Sequence, residues 1–135
     1  MFPDDLTTEV LSASLRGHNA RNAALVNNIA NAETPGYKRI DVQFEAALAE
    51  AVETDRARIR RGAEMGESAF GGTDETAGST ASVRSMGDTT MRVDGSNVDA
   101  DDEMAQLSSN QLAHQTVVSL LDKRFNQFRT AITGR

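Results

Sequence analysis

Asn27-Asn28-Ile29-Ala30-Asn31-Ala32-Glu33-Thr34-Pro35-Gly36-Tyr37 reads NNIANAETPGY. Three asparagines crowd the end of a helical run, and a Thr-Pro-Gly then stops it. Thr34 precedes proline, which pushes it out of the α region, so the helix ends before it. Pro35-Gly36 suits the two central positions of a type II turn, the second of which needs a positive φ. Upstream, Leu11, Leu15, His18, Asn22, Leu25 and Ile29 recur at spacings of 4, 3, 4, 3 and 4. That is a heptad seam with two polar positions, and it predicts a helix from about Asp5 to Ala32. Asp4, Asp5 and Glu9 stand at its start, where the helix dipole favours negative charge.

The far end of the chain carries a longer seam. Met104, Leu107, Gln111, His114, Val118, Leu121, Phe125, Phe128 and Ile132 alternate spacings of 3 and 4, and seven of the nine are apolar. Asp99, Asp101, Asp102 and Glu103 open this helix, and Lys123, Arg124 and Arg129 lie towards its close. A helix over 99–133 would be about 50 Å long. Between the two seams, Ile40, Val42 and Phe44 alternate as an extended lead-in, and Phe44, Leu48, Ala51, Val52 and Ile59 then suit a short helix. The stretch 62–95 holds seven of the ten glycines and no periodic apolar pattern, which predicts a flexible loop with a short hairpin near Thr90–Val93. The expected organisation is all-α. It has an N-terminal coiled-coil helix and turn over 1–36, an extended lead-in and short helix over 37–61, a loop over 62–98, and a C-terminal coiled-coil helix over 99–135.

Composition narrows the function classes. The chain has 135 residues, a net charge of -6, no cysteine, no tryptophan and one tyrosine. An acidic balance argues against nucleic-acid binding, which needs clustered Lys and Arg. Without cysteine there is no disulfide, thiolate metal site or thiol catalysis. No apolar run reaches membrane-spanning length, and MFPDDLTTEV lacks the pattern of a signal peptide, so no membrane insertion and no cleaved signal are expected. His18 and His114, one per seam, could face each other between the helices. Neither has a second ligand at metal spacing, so the residues favour polar interface positions over a metal. The acids at 99–102 lack the glycine and closing glutamate of a calcium loop. No nucleotide, cofactor or hydrolase motif is present, and neither an enzyme nor a cofactor is expected.

What remains is suited to contact. Asn22, Asn27 and Asn28 are not explained by helix capping, although Asn31 is a natural C-terminal cap. An amide both donates and accepts, so several on one helix can bridge to neighbouring helices, and buried asparagine fixes register.

The stretch NNIANAETPGYKR resembles the N-terminal signature of the flagellar axial proteins, the rod, hook and hook-associated subunits, at Asn28, Ile29, Ala30, Asn31, Thr34, Pro35, Gly36 and Tyr37. The large members of that family carry extra domains between the terminal helices, and this chain has only a loop. The register of Asn110-Gln111-Leu112 after Gly95-Ser96-Asn97-Val98-Asp99 resembles one of the two short proximal rod subunits more than its sister. The resemblance implies a structural subunit whose terminal helices pair and stack into a hollow, torque-transmitting rod in the basal body, which also forms part of the export channel wall. It implies several partners: further copies, other rod proteins, membrane-ring and rod-adaptor proteins, and the type III export gate during transit without a cleaved signal. The expected interface comprises Asn22, Asn27, Asn28, Asn31, Thr34, Pro35, Gly36, Tyr37, Leu107, Gln111, Val118, Leu121, Phe125 and Phe128. Phe44 and Leu48 fit the Phe-x-x-x-hydrophobic spacing ascribed to gate recognition, a spacing that a helix face explains as well. A small helical secretion chaperone that binds a partner helix in its seam is the competing reading from another class.

Overall fold

The structure is a computed structural model that describes residues 6–65, 82–85 and 97–134. Helix α1 spans Leu6–Ala30, strand β1 Ile40–Gln43, helix α2 Glu45–Met65, strand β2 Ser82–Ser85 and helix α3 Ala100–Thr133. The architecture is essentially helical, with the long terminal helices packed together as expected. Asn28 meets Glu103 and His18 meets Asn110, so α1 and α3 run antiparallel.

Local chemistry sets the ends of α3. Asp99 is its N-cap, accepting the Asp101 N–H at 3.0 Å, and three acids fill the first turn. Gly134 closes it in the left-handed region, φ 68°, with its N–H on the Thr130 carbonyl. On α1, the buried residues Ala13, Gly17 and Ala24 are small. They let the neighbouring chain approach closely: the Phe44 ring lies flat enough on Gly17 that a Cβ there would overlap it. Val42, Phe44, Leu25, Ala32 and Val98 complete a thin core around α1 and β1.

The middle of the chain differs from the sequence expectation in two ways. The helix after Phe44 is not short; it runs for 21 residues to Met65, past residue 61. The stretch expected to be a loop contains β2, which pairs antiparallel with β1, Ile40 opposite Ser85 and Val42 opposite Val83. The hairpin expected near Thr90–Val93 lies outside the described residues.

The α3 seam is also displaced. The face turned to α1 centres on Glu103 and Asn110, both buried, with Leu107, Val117 and Leu121 half-buried beside them. Met104, Gln111, Val118, Phe125 and Ile132, seven residues apart, form an exposed edge. Of the expected contact positions, Leu107, Leu121 and Phe128 are half-buried, whereas Gln111, Val118 and Phe125 are not covered within the chain. The physical reason is that two polar side chains with partners take the centre of the face, which shifts the apolar seam to its flank. Continuing the His18–Asn110 register brings Leu6 level with about residue 122, so roughly twelve residues of α3, about 18 Å, run past the described start of α1.

Candidate assembly interface

The Thr34–Tyr37 turn has the expected geometry. The Tyr37 N–H donates to the Thr34 carbonyl at 3.1 Å, and Gly36 takes φ 72°. Nothing lies within 4 Å of a Cβ built at Gly36, so the backbone, not lack of room, calls for glycine. Thr34, Pro35 and Gly36 are exposed. Just upstream, the Asn31 Nδ2 donates to the Asn27 carbonyl at 2.8 Å and to Asn27 Oδ1 at 2.7 Å, tying off the last turn of α1.

Asn28 is fully buried, and its amide is fully used inside the chain. Its Nδ2 donates to the Ile40 carbonyl at 2.8 Å and to Glu103 Oε2 at 2.9 Å. Its Oδ1 accepts from the Ile40 N–H at 2.9 Å and from the Tyr37 hydroxyl at 3.1 Å. One side chain therefore joins α1, the turn, β1 and α3. This corrects the expectation that Asn28 reaches other chains, because no donor or acceptor remains for one. Asn31 is likewise occupied locally, and Tyr37 points back onto Asn28 and Asn27. Burial, and then the Glu103 carboxylate, raise the Tyr37 phenol above its ordinary pKa.

Glu103 is 1% exposed and is held from two sides. Arg39 Nε stands 2.6 Å from its Oε1, and the Arg39 Nη2 donates to Gln106 Oε1 at 2.8 Å. The Nε contact is an ion pair without hydrogen-bond alignment. The Arg39 N–H donates to Asn97 Oδ1 at 2.7 Å, fixing the approach to α3. The sequence reading places Glu103 among the acids that open α3; its burial is explained by two partners far away in the chain, Arg39 and Asn28.

A second clasp works on the other end of β1. The Arg21 Nε and Nη2 donate to the Val42 carbonyl at 3.1 and 2.8 Å, and its guanidinium grips Glu45 with both nitrogens. The hydrogen bonds from Arg21 hold the Glu45 carboxyl at about 2. Arg21 also lies 4.8 Å over the Phe44 ring. His18 meets the edge of that ring at 5.1 Å and shares a 2.8 Å hydrogen bond between its Nδ1 and Asn110 Oδ1. Asn110 Nδ2 returns to the His18 carbonyl at 3.0 Å. His18 is thus a structural link between α1 and α3. Among the described residues no cluster of three or more His, Cys, Asp or Glu could hold a metal ion, and no helix is long and apolar enough to cross a membrane. Phe44, expected to be a gate-recognition residue, is buried in the folded chain, and Leu48 beside it is half-buried.

His114 instead lines a polar notch of about 150 Å³ with Asn19, Asn22, Asn110 and Gln111, on the seam between α1 and α3. Asn22 Oδ1 is buried in the described structure with no hydrogen-bond partner. Asn22 and Gln111 were both expected at an interface, and the fold brings them to one place.

No family model matches the chain. It is, however, 33% identical over 134 residues to a curated Bacillus subtilis (strain 168) protein named flagellar basal body rod protein FlgB, covering 95% of this chain and 94% of that one. A protein of the same name from Cereibacter sphaeroides is 35% identical over 133 residues, 98% of this chain and 97% of that one. One from Borrelia hermsii is 30% identical over 118 residues, 83% and 84% of the two chains. The likeness runs through the terminal helices, the turn between α1 and β1, and the segment joining them, and on it the chain belongs to the FlgB family of flagellar basal body rod proteins.

Proposed function

We propose that the chain is a structural subunit of the proximal rod of a bacterial flagellar basal body. It assembles through α1 and α3, transmits torque and contributes to the wall of the export channel. The observation that carries this reading is the near-full-length likeness to proteins named as rod subunits. The fold supports it: α3 runs past the described start of α1 and bears an exposed apolar edge at Met104, Val118, Phe125 and Ile132. Such an edge on a chain with so thin a core is completed by neighbouring subunits. The partners on this reading are further copies, other rod proteins, and the ring and adaptor proteins that seat the rod. Transit through the export apparatus needs an unfolded chain on this reading, because Phe44 is buried and Leu48 half-buried in the folded one.

The test is complementation. Expressed in a motile bacterium that lacks its own FlgB, the chain is expected to restore swimming and to appear in isolated basal bodies at the membrane-proximal end of the rod. A chain that is exported yet absent from basal bodies would refute the reading.

A further inference from the structure

An open groove of about 390 Å³ lies between α1 and the first half of α2. Val10 and Ser14 line it from α1, and Phe44, Leu48 and Val52 line it from the other side. Glu45, Ala49 and Glu53 border it on α2 and are exposed. Further along the same helix Ile59, an apolar residue, is 42% exposed.

The α2 sequence itself describes what fits this face. Glu45, Ala49, Val52, Arg56 and Ile59 recur at spacings of 4, 3, 4 and 3, a heptad seam along one side of the helix. The charges on α2 are split by position. Residues 45–53 hold three glutamates and no lysine or arginine, and residues 56–61 hold four arginines and no acid. A helix split in this way is complementary to itself reversed, whereas a parallel copy would set like charge against like. Laid antiparallel on a second α2, the seam puts Val52 against Val52, Arg56 opposite Ala49 and Ile59 beside Leu48. Alanine leaves room for the guanidinium, which then stands between Glu45 and Glu53, each about one turn from Ala49. Within its own helix Arg56 already meets Glu53 at 3.0 Å, but both side chains are mostly exposed, and a pair of that kind gives little stability to replace.

We propose that two copies of the chain pair through α2, antiparallel about a two-fold axis at Val52, with Ile59 of each copy covering the α1–α2 groove of the other. The same surface is used on both copies, so the contact closes at two. It leaves α3 and its exposed apolar edge out. Copies related by a two-fold axis point in opposite directions, whereas a filament grows by head-to-tail contacts. The pair is therefore a form of the subunit outside the rod, and it must part before either copy is built in. The pairing itself does not depend on the rod-subunit reading; only its meaning as a holding form does.

The chain has no cysteine, so one introduced thiol reports what stands beside it. In the full chain oxidised with diamide, Val52→Cys is expected to form a disulfide-linked dimer at least about tenfold faster than Ala47→Cys, an exposed position on the opposite side of α2. Circular dichroism checks that each variant keeps its helix, and Glu53→Cys, also beside the axis, replaces Val52→Cys should that one lose it. In the Val52→Cys background, Glu53→Arg and Arg56→Glu are each expected to slow crosslinking by about tenfold, since each sets like charges together. Mixing those two variants should restore it, because each then meets the opposite charge across the axis, although neither regains an ion pair within its own helix. Equal rates at positions 52 and 47, or no rescue on mixing, overturn the proposal. Equal rates are also the outcome if the groove instead takes a segment of another protein. Failure of the rod-subunit reading would show in complementation and leave these crosslinking rates unchanged.

Discussion

Replacing Asn28 by alanine tests the clasp that joins the four elements of the fold. The substitution deletes two donated and two accepted hydrogen bonds in a site with no exposure. It strands the Ile40 N–H and carbonyl and takes one partner from the Glu103 carboxylate. Each buried group left unpaired costs about 1–3 kcal/mol. Tyr37 lies nearer the surface and can turn to water, and Glu103 keeps Arg39, so the sum falls short of four full penalties. The expected loss is about 3–5 kcal/mol, a large share of the stability of a small domain. Urea unfolding followed by circular dichroism measures it as a shift in midpoint at unchanged slope. Asn28→Asp should cost more at neutral pH, because it removes both donors and sets a carboxylate against Glu103. That extra cost should shrink as the pH falls through the carboxylate range. A midpoint for Asn28→Ala within about 0.5 kcal/mol of the parent would refute the reasoning, since the amide would then not be holding these elements together.

Three further outcomes follow from the same geometry. Gly17→Ala should destabilise by about 1–3 kcal/mol in thermal unfolding, although alanine is the better helix former, because its methyl overlaps the Phe44 ring. Gly36→Ala should cost about 1–2 kcal/mol in urea unfolding, since its φ of 72° is unfavourable for a residue with a Cβ. The Glu45 carboxyl sits at about 2 in the folded chain against an ordinary 4.5, so its pairing with Arg21 adds stability above about pH 4.5 and loses it as the pH falls towards 2. Glu45 is 59% exposed, so solvent screening keeps that contribution below about 1 kcal/mol. Glu45→Gln should flatten this part of the stability–pH profile measured by urea midpoints.

The terminal helices and the turn were legible because their signals are local. A repeated 3–4 spacing marks a helix wherever it falls, and Thr-Pro-Gly specifies its own backbone. The inner face of α3 was not legible. An apolar count draws the seam through Met104, Gln111 and Val118, whereas the fold centres it on Glu103 and Asn110. Those two are polar residues whose partners, Arg39 and Asn28 for one and His18 for the other, sit far away in the chain. Periodicity weighs hydrophobicity and cannot see a hydrogen bond across 75 or 92 positions. Strand β2 was hidden for a related reason: Ser82–Ser85 is too short to announce itself and is a strand only because Ile40–Gln43 lies beside it. For the interface, Asn28 was misread because one amide can serve a neighbour or its own chain equally well, and that Asn22 and Gln111 meet at one notch follows from the fold and not from their residue type.

The pairing of Asn28 and Arg21 with β1 has a consequence for how copies can join. A strand normally offers its outer N–H and carbonyl groups to the next strand, and an uncovered edge invites uncontrolled sheet growth. On the α1 side of β1 the Asn28 amide stands in for a peptide group, giving and taking at Ile40 as another backbone would, and Arg21 fills the Val42 carbonyl. The remaining Val42 N–H donates to the Asp41 carboxylate beside it. No main-chain valence is left on that flank for a foreign strand. The backbone of β1 is therefore closed on this flank once the chain is folded, and the flank offers no template for amyloid-like stacking.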